Sequence, residues 1–150
     1  IDIVLLDRRM PGLSGTEVLQ SIREGGDAQQ VIMVTAVQPT EDLASIDVDD
    51  YLLKPIDRTK LLRAVEAAEL ILTYEDSLTE LLSLTARKAT LEANLDKTEL
   101  EKDDRYGDLL QRIRELEEEA DTTLQRLKTD YQIDMLVRDQ RIGSQPVEQF

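Results

Sequence analysis

Three side chains of complementary chemistry stand at the ends of three short apolar runs: Asp7 closes "IDIVLLD", Thr35 closes "VIMVT" and Lys54 follows "YLL". Runs this short and this rich in β-branched residues read as strands. In a parallel α/β sheet, ligand-binding groups gather at the carboxyl ends of the strands. An acid, a hydroxyl and an ammonium meeting there suit an anionic group, with the carboxylate as nucleophile and the other two neutralising its oxygens. Each residue alone has a plainer reading. An Asp after a strand is commonly a turn or helix cap, Thr35 a strand-end residue and Lys54 a solvated charge. The joint pattern is far more specific: D-x-x-M-P-x-x-x-G, then an apolar strand with T-A, then an apolar strand with K-P.

The elements that must position these groups follow from periodicity. "IDIVLL" suits a strand buried on both faces, "VIMVTA" a second strand and "YLLKP" a third. Between them, Ser14 to Glu17 has the spacing of a capping box, and "TEVLQSIRE" places Val18, Leu19 and Ile22 on one side of a helix that Gly25-Gly26 stops. "PTEDLASI" reads as a short helix entered through Pro39, and "DRTKLLRAVEAAELIL" as an amphipathic helix capped near Asp57. Strands alternating with helices at this spacing imply a parallel α/β sheet over residues 1–72. From about Tyr74 the pattern becomes a coiled-coil seam: Leu81, Leu84, Leu91 and Leu95, then Tyr106, Leu109, Ile113, Leu116, Ala120, Leu127 and Tyr131. The expected form over 73–142 is an antiparallel helical hairpin joined near residues 101–104, where Asp103-Asp104 could cap a new helix. A single continuous helix is the alternative. The tail 143–150, "GSQPVEQF", reads as frayed.

Composition bounds the chemistry. The 150 residues contain no His and no Cys, which removes His-metal, Ser-His-Asp and thiolate schemes. Aromatics are only 3% of the chain, in keeping with extended helix over part of its length. The net charge of −14, from 32 acidic and 18 basic residues, disfavours broad electrostatic binding to nucleic acid and leaves such binding as an open question for a local patch. Arg outnumbers Lys, and Asp is at least as common as Glu even in the helical half. A solvated coiled-coil surface would account for the acidity, as would a salt-rich cytosol that screens self-repulsion; the composition leans to the second. No apolar stretch approaches the roughly 18 residues of a membrane span, so no membrane partner is expected and the expected location is the cytoplasm.

The joint pattern of Asp7, Met10-Pro11, Gly15, Thr35-Ala36 and Lys54-Pro55 resembles the receiver domain of two-component response regulators. The resemblance implies a phosphoprotein with a partial flavodoxin-like fold, the last three βα units of a doubly wound sheet. It implies that Asp7 accepts a phosphoryl group from a sensor histidine kinase, that Thr35 and Lys54 contact the phosphoryl oxygens, and that Tyr51 is the aromatic that changes rotamer when the threonine moves. Met10, Pro11, Gly15, Ala36 and Pro55 would shape the turns around the site. It also implies Mg2+, with Asp7 and the Arg9 backbone carbonyl among its ligands. The acidic pair that follows a receiver's first strand is expected upstream of Ile1, because this chain opens at what resembles the third strand. Asp49-Asp50 precede the last strand and so belong to its opposite end. A phosphatase of the haloacid dehalogenase type needs a second acid two residues after the first, where Arg9 stands, and is rejected.

"LLSLTARKATLEANL" followed by "YGDLLQRIRELEEEADTTL" resembles the HalX domain, which follows receivers in haloarchaeal response regulators. Together the two resemblances imply a phosphorelay response regulator whose helical domain is the output. It would act through a homodimer or a helical protein partner. The alternatives are a DNA-binding transcriptional regulator that uses the helical domain, and a degenerate receiver serving as a scaffold for protein–protein interaction.

Overall fold

The structure is a computed structural model that describes residues 1–26, 28–37 and 45–142, with side chains as far as Tyr131. The chain divides into two compact units, Ile1–Glu69 and Leu70–Phe150. The first contains strands β1 (Ile3–Asp7), β2 (Gln30–Thr35) and β3 (Asp50–Leu53), with helix α1 (Gly15–Glu24) between the first two. All three strands are parallel and lie in the order β1-β2-β3, the α/β arrangement expected for the last strands of a receiver sheet.

The alternation of side chains across the sheet builds two cores. Val31 and Met33 of β2 join Leu6 and the α1 residue Leu19 on one face, with Val18 and Ile22 packed against them. Ile32 points the other way, to Leu52 of β3 and to Ala64 and Ala68 of helix α2 (Arg58–Asn94). Val31, Ile32 and Met33 are 0%, 1% and 0% exposed, which makes β2 the centre of both layers. Burying each such side chain contributes about 1.5–3 kcal/mol. β1 departs from the expectation of a strand covered on both faces. Leu5 is 45% exposed, because α2 packs over β2 and β3 and leaves that face of β1 partly open.

The helix boundaries follow their signals. Ser14 caps α1 in a complete capping box with Glu17, and the helix ends at Gly25 before Gly26, whose φ of 76° suits glycine. Asp57 caps α2 by accepting from the Lys60 amide at 2.8 Å. The short helix expected after Pro39 falls on residues 38–44, and the frayed tail on 143–150. Both lie outside the described residues.

The second unit holds the rest of α2, a short helix α3 (Lys97–Glu101) and helix α4 (Asp104–Ile142). The change of pattern near Tyr74 does not interrupt α2, which runs on to Asn94. The hairpin is antiparallel: Glu80 bonds Arg112, and twelve residues further along α2, Glu92 bonds Tyr106, which precedes Arg112. The connection begins earlier than residues 101–104. Asp96 and Glu99 form a capping box that starts α3, and Asp103 then accepts the Arg105 amide at 3.0 Å to start α4. Leu109, Ile113, Leu116, Ala120 and Leu127 are buried along the seam, with Leu81, Leu84 and Leu91 half-buried. Leu95 and Tyr131, expected in the seam, are 39% and 40% exposed. Leu95 lies past the last residue of α2, in the connection. Ser77 and Thr123 occupy buried positions that an apolar pattern does not reveal.

Candidate functional site

The sheet register sets the site. Asp7 lies opposite Val34, one residue before Thr35, and Thr35 lies opposite Leu53, one residue before Lys54. The three chemistry-bearing residues therefore end three neighbouring strands in a staircase, at a strand spacing of about 4.8 Å. The Arg8 amide donates to the Val34 carbonyl at 2.9 Å and the Lys54 amide to the Thr35 carbonyl at 2.8 Å, which carries the sheet pairing just past Asp7 and up to Lys54.

Lys54 closes onto Asp7. Its Nζ donates to Asp7 Oδ2 at 2.7 Å, while the Arg9 amide donates to Oδ1 at 3.0 Å. The Lys54 hydrogen bond, then the Arg9 amide, hold the Asp7 carboxyl below the usual range, so it is ionised at neutral pH and available as a nucleophile. Both partners are about two-fifths exposed, at 37% and 44%, so an incoming group can reach them. Thr35 is 2% exposed, and its hydroxyl is engaged away from Asp7: Oγ1 accepts from the Val37 amide at 3.2 Å and donates to the Val37 carbonyl at 3.4 Å. Both contacts are longer than the usual optimum and so are weak restraints. The structure thus joins Asp7 to Lys54 and places Thr35 beside them without a direct bond to Asp7.

The turn residues have separate roles. A Cβ on Gly15 would lie 2.3 Å from the Asp7 carbonyl oxygen and 2.9 Å from Arg8 Cα, so only glycine lets α1 start this close to the end of β1. The Gly15 amide donates to the Arg8 carbonyl at 3.0 Å, tying the helix start to the same peptide. Gly12, with φ of 89°, supplies the left-handed turn residue after Met10-Pro11. Met10 and Pro11 are exposed, as are Ala36 and Pro55; the Lys54–Pro55 peptide is cis. Tyr51 is half-buried against the Val31–Met33 face, and burial pushes its phenol up, opposed by the charge of Arg8.

Asp49 and Asp50 lie at the other end of β3. Asp49 Oδ2 accepts from Arg23 Nη2 at 2.7 Å and from the Val31 amide at 2.6 Å, and Arg23 Nη1 donates to the Gln29 carbonyl at 2.8 Å. This clamp ties α1 to the amino ends of β2 and β3. The Asp49–Arg23 pairing could not be read from sequence, because its partners are 26 residues apart with no local motif.

Magnesium needs near-octahedral oxygen coordination. Asp7 and the Arg9 carbonyl offer one carboxylate and one carbonyl, and among the described residues no group of three or more His, Cys, Asp or Glu could hold a metal ion. These two groups by themselves do not fit the ion. What Asp7, Lys54 and Thr35 can do is receive an electrophilic, oxygen-rich anionic group on the carboxylate and neutralise it in place.

Residues 1–66 match the response regulator receiver domain and residues 70–138 match the HalX domain. A Haloferax volcanii protein that carries the name of a transcriptional regulator is 33% identical over 138 residues, which cover 92% of this chain and 23% of that protein. The nitrate/nitrite response regulator NarL of Escherichia coli is 33% identical over 104 residues, covering 64% of this chain and 47% of that regulator. Among solved structures, a signal receiver domain named for a Luxo repressor of Vibrio parahaemolyticus is 30% identical with a TM-score of 0.40, covering 45% of this chain and 54% of that one. The chain spans less than half the length of the two curated relatives.

Proposed function

With residues 1–66 belonging to the response regulator receiver family and residues 70–138 to the HalX family, we propose that this chain is the phosphoryl-accepting part of a two-component regulator. The observation that carries the reading is the 2.7 Å contact of Lys54 with an exposed carboxylate, Asp7, at the carboxyl end of a parallel sheet. An Asp7 oxygen attacks the phosphorus of a phosphohistidine on a sensor kinase. The O–P bond forms as the P–N bond breaks, the electron pair stays with the imidazole nitrogen, and an acyl phosphate remains on Asp7. Lys54 moves from the carboxylate to a phosphoryl oxygen, and charge neutralisation at that oxygen lowers the barrier. Thr35 exchanges its long contacts to Val37 for a second phosphoryl oxygen and draws the following loop with it, while Tyr51 follows on the adjacent strand.

The helical hairpin is the output in this reading. Acidic residues outnumber basic ones along it, so it favours a protein partner or a second copy over direct contact with DNA. The name of the Haloferax volcanii relative favours a regulatory role in transcription, reached through such a partner.

The test is phosphotransfer from a phosphorylated histidine kinase domain with Mg2+ present, followed by intact mass. Joined to a first strand that supplies the acidic pair, the chain should gain one phosphoryl group, its Asp7→Asn variant none, and its Lys54→Gln variant should react about 100-fold more slowly, the usual loss when one charged donor is removed; the 150 residues alone, with too few magnesium ligands, should not be stably labelled. Modification that persists in Asp7→Asn would refute the assignment.

A further inference from the structure

The hairpin part of α2 carries two apolar stripes, and the seam uses only one. Leu81, Leu84 and Leu91 turn to α4 and are half-buried. Thr79, Leu82, Ala86, Ala89 and Ala93 repeat at the same three-and-four steps, and all five are exposed. At about 100° of rotation per residue, this second stripe lies on roughly the opposite side of the helix from the seam. Leu82 is 71% exposed, the highest value of any described leucine. A lone surface leucine is ordinary, but this one sits in a face without charge, bordered by the neutral Ser83 and Thr90. That is uneven in a chain with 33% charged residues. The exposed side of α4 shows the contrast, with Glu115, Glu117, Glu118, Glu119 and Asp121 crowded within two turns.

We propose that this outer face of α2 docks a second copy of the chain, antiparallel, across a two-fold axis near Leu82. The face lies within the HalX match and outside the receiver match. The proposal deepens the reading of the hairpin as output by naming its partner, and it does not depend on Asp7. Charge selects both the partner and the direction. With a net charge of −14, most of the surface repels a copy of itself, and α4 against α4 would set glutamates against glutamates. The neutral stripe meets its own copy without that penalty. Asp76 and Arg87 lie on one flank of the stripe, about three turns apart. Both are exposed, and neither makes an ion pair or a side-chain hydrogen bond among the described residues. Glu80, on the same flank, bonds Arg112. In an antiparallel pair centred near Leu82, Arg87 of each copy comes between Asp76 and Glu80 of the other, twice by symmetry. A parallel pair would set Arg87 against Arg87. Ala86, Ala89 and Ala93 let the helix axes approach to about 8 Å. The stripe is about 21 Å long, short for the roughly 800 Å² per partner of a standard interface, so the dimer is reversible, with a Kd on the order of 1 μM.

The test is sedimentation equilibrium of the full chain at about 1 M salt, where screening to about 3 Å weakens the repulsion between acidic surfaces. Wild type should dimerise. Leu82→Glu should weaken the dimer at least about 100-fold while its thermal melting stays that of wild type, because the side chain is exposed. Arg87→Glu should weaken it about ten-fold, and adding Asp76→Arg should recover part of that loss. The chain has no cysteine, so single introduced cysteines report the direction. With a short bis-maleimide, Ser83→Cys, beside the axis, should cross-link two copies. Ala93→Cys should not, because its two copies lie about 30 Å apart along the helices. A monomer at about 100-fold above the expected Kd, a dimer indifferent to Leu82→Glu, no recovery by Asp76→Arg, or cross-linking at Ala93→Cys would each overturn the proposal. No phosphodonor is present, so failure of the acceptor assignment leaves these results unchanged.

Discussion

The sheet unit and the helical hairpin are built from similar apolar residues, yet they treat polar side chains in opposite ways. In the sheet unit, consecutive parallel strands end side by side, so Asp7, Thr35 and Lys54 are carried into one small space from positions far apart in the chain. In the hairpin, the charged groups are strung along two helices. The Glu80–Arg112 and Glu92–Tyr106 bonds tie the two helices at the surface, and Arg112 pairs with Glu115 and Glu119 of its own helix as well. The interiors differ as well. β2 holds three consecutive residues at 0–1% exposure, whereas the hairpin seam is buried chiefly from α4, and the α2 leucines Leu81, Leu84 and Leu91 remain half-open. Convergence of strand ends brings an acid, a hydroxyl and an ammonium side by side. A seam makes a shape that can be gripped or opened.

Emptying each interior is the strongest way to break that comparison. Met33→Ala, at a position with no exposure, should cost about 3 kcal/mol by denaturant unfolding, and Leu84→Ala, at a half-buried seam position, about half as much. Equal costs would mean that the seam is as close-packed as the sheet.

Glycine gives a smaller effect with opposite signs in the two units. Gly15→Ala pushes a Cβ into the Asp7 carbonyl and should destabilise by about 2 kcal/mol while slowing phosphorylation of Asp7. Gly107→Ala, in the first turns of α4 with nothing within 4 Å of the new Cβ, should stabilise by about 0.5–1 kcal/mol. A neutral Gly15→Ala would show that the close approach of α1 to β1 is not needed.

The smallest effect is in pH, and it has the same sign in both units. Asp7 is held below its ordinary value by Lys54, and Glu80 by Arg112, so each folded carboxyl binds a proton less readily than in the unfolded chain. Stability from these pairs is therefore present above the ordinary carboxyl range and is lost as pH falls through the lowered values. Both pairs are exposed, so the change is small. The melting difference between wild type and Asp7→Asn should narrow on acidification below about pH 4 and stay flat above about pH 6. A difference independent of pH would mean that the Lys54 contact does not bias the ionisation of Asp7.

Sequence carried the local and periodic parts of this structure. The three strands, the Ser14–Glu17 box and the buried run from Leu109 to Leu127 all rest on spacing within a few residues, where side-chain period and capping chemistry act. The Asp7–Lys54 contact was legible because strand-end convergence is a rule of parallel sheets. The hairpin connection was misplaced because the apolar spacing ran on to Leu95 and masked the D-x-x-E capping signal at Asp96–Glu99. Three features were not legible because they depend on tertiary contact: the Arg23–Asp49 clamp, the engagement of Thr35 by Val37, and the exposure of Leu5. No local pattern records which backbone amide a distant carboxylate will reach, or which strand a helix will leave uncovered.

The central claim is that reactivity is confined to one residue of the sheet unit. Trapping the acyl phosphate with hydroxylamine after phosphotransfer, then mapping peptides by mass, tests it directly. A single hydroxamate is expected, at Asp7, with none across residues 70–150. A hydroxamate at Asp49 or Asp50, or on any acidic residue of the hairpin, would contradict it.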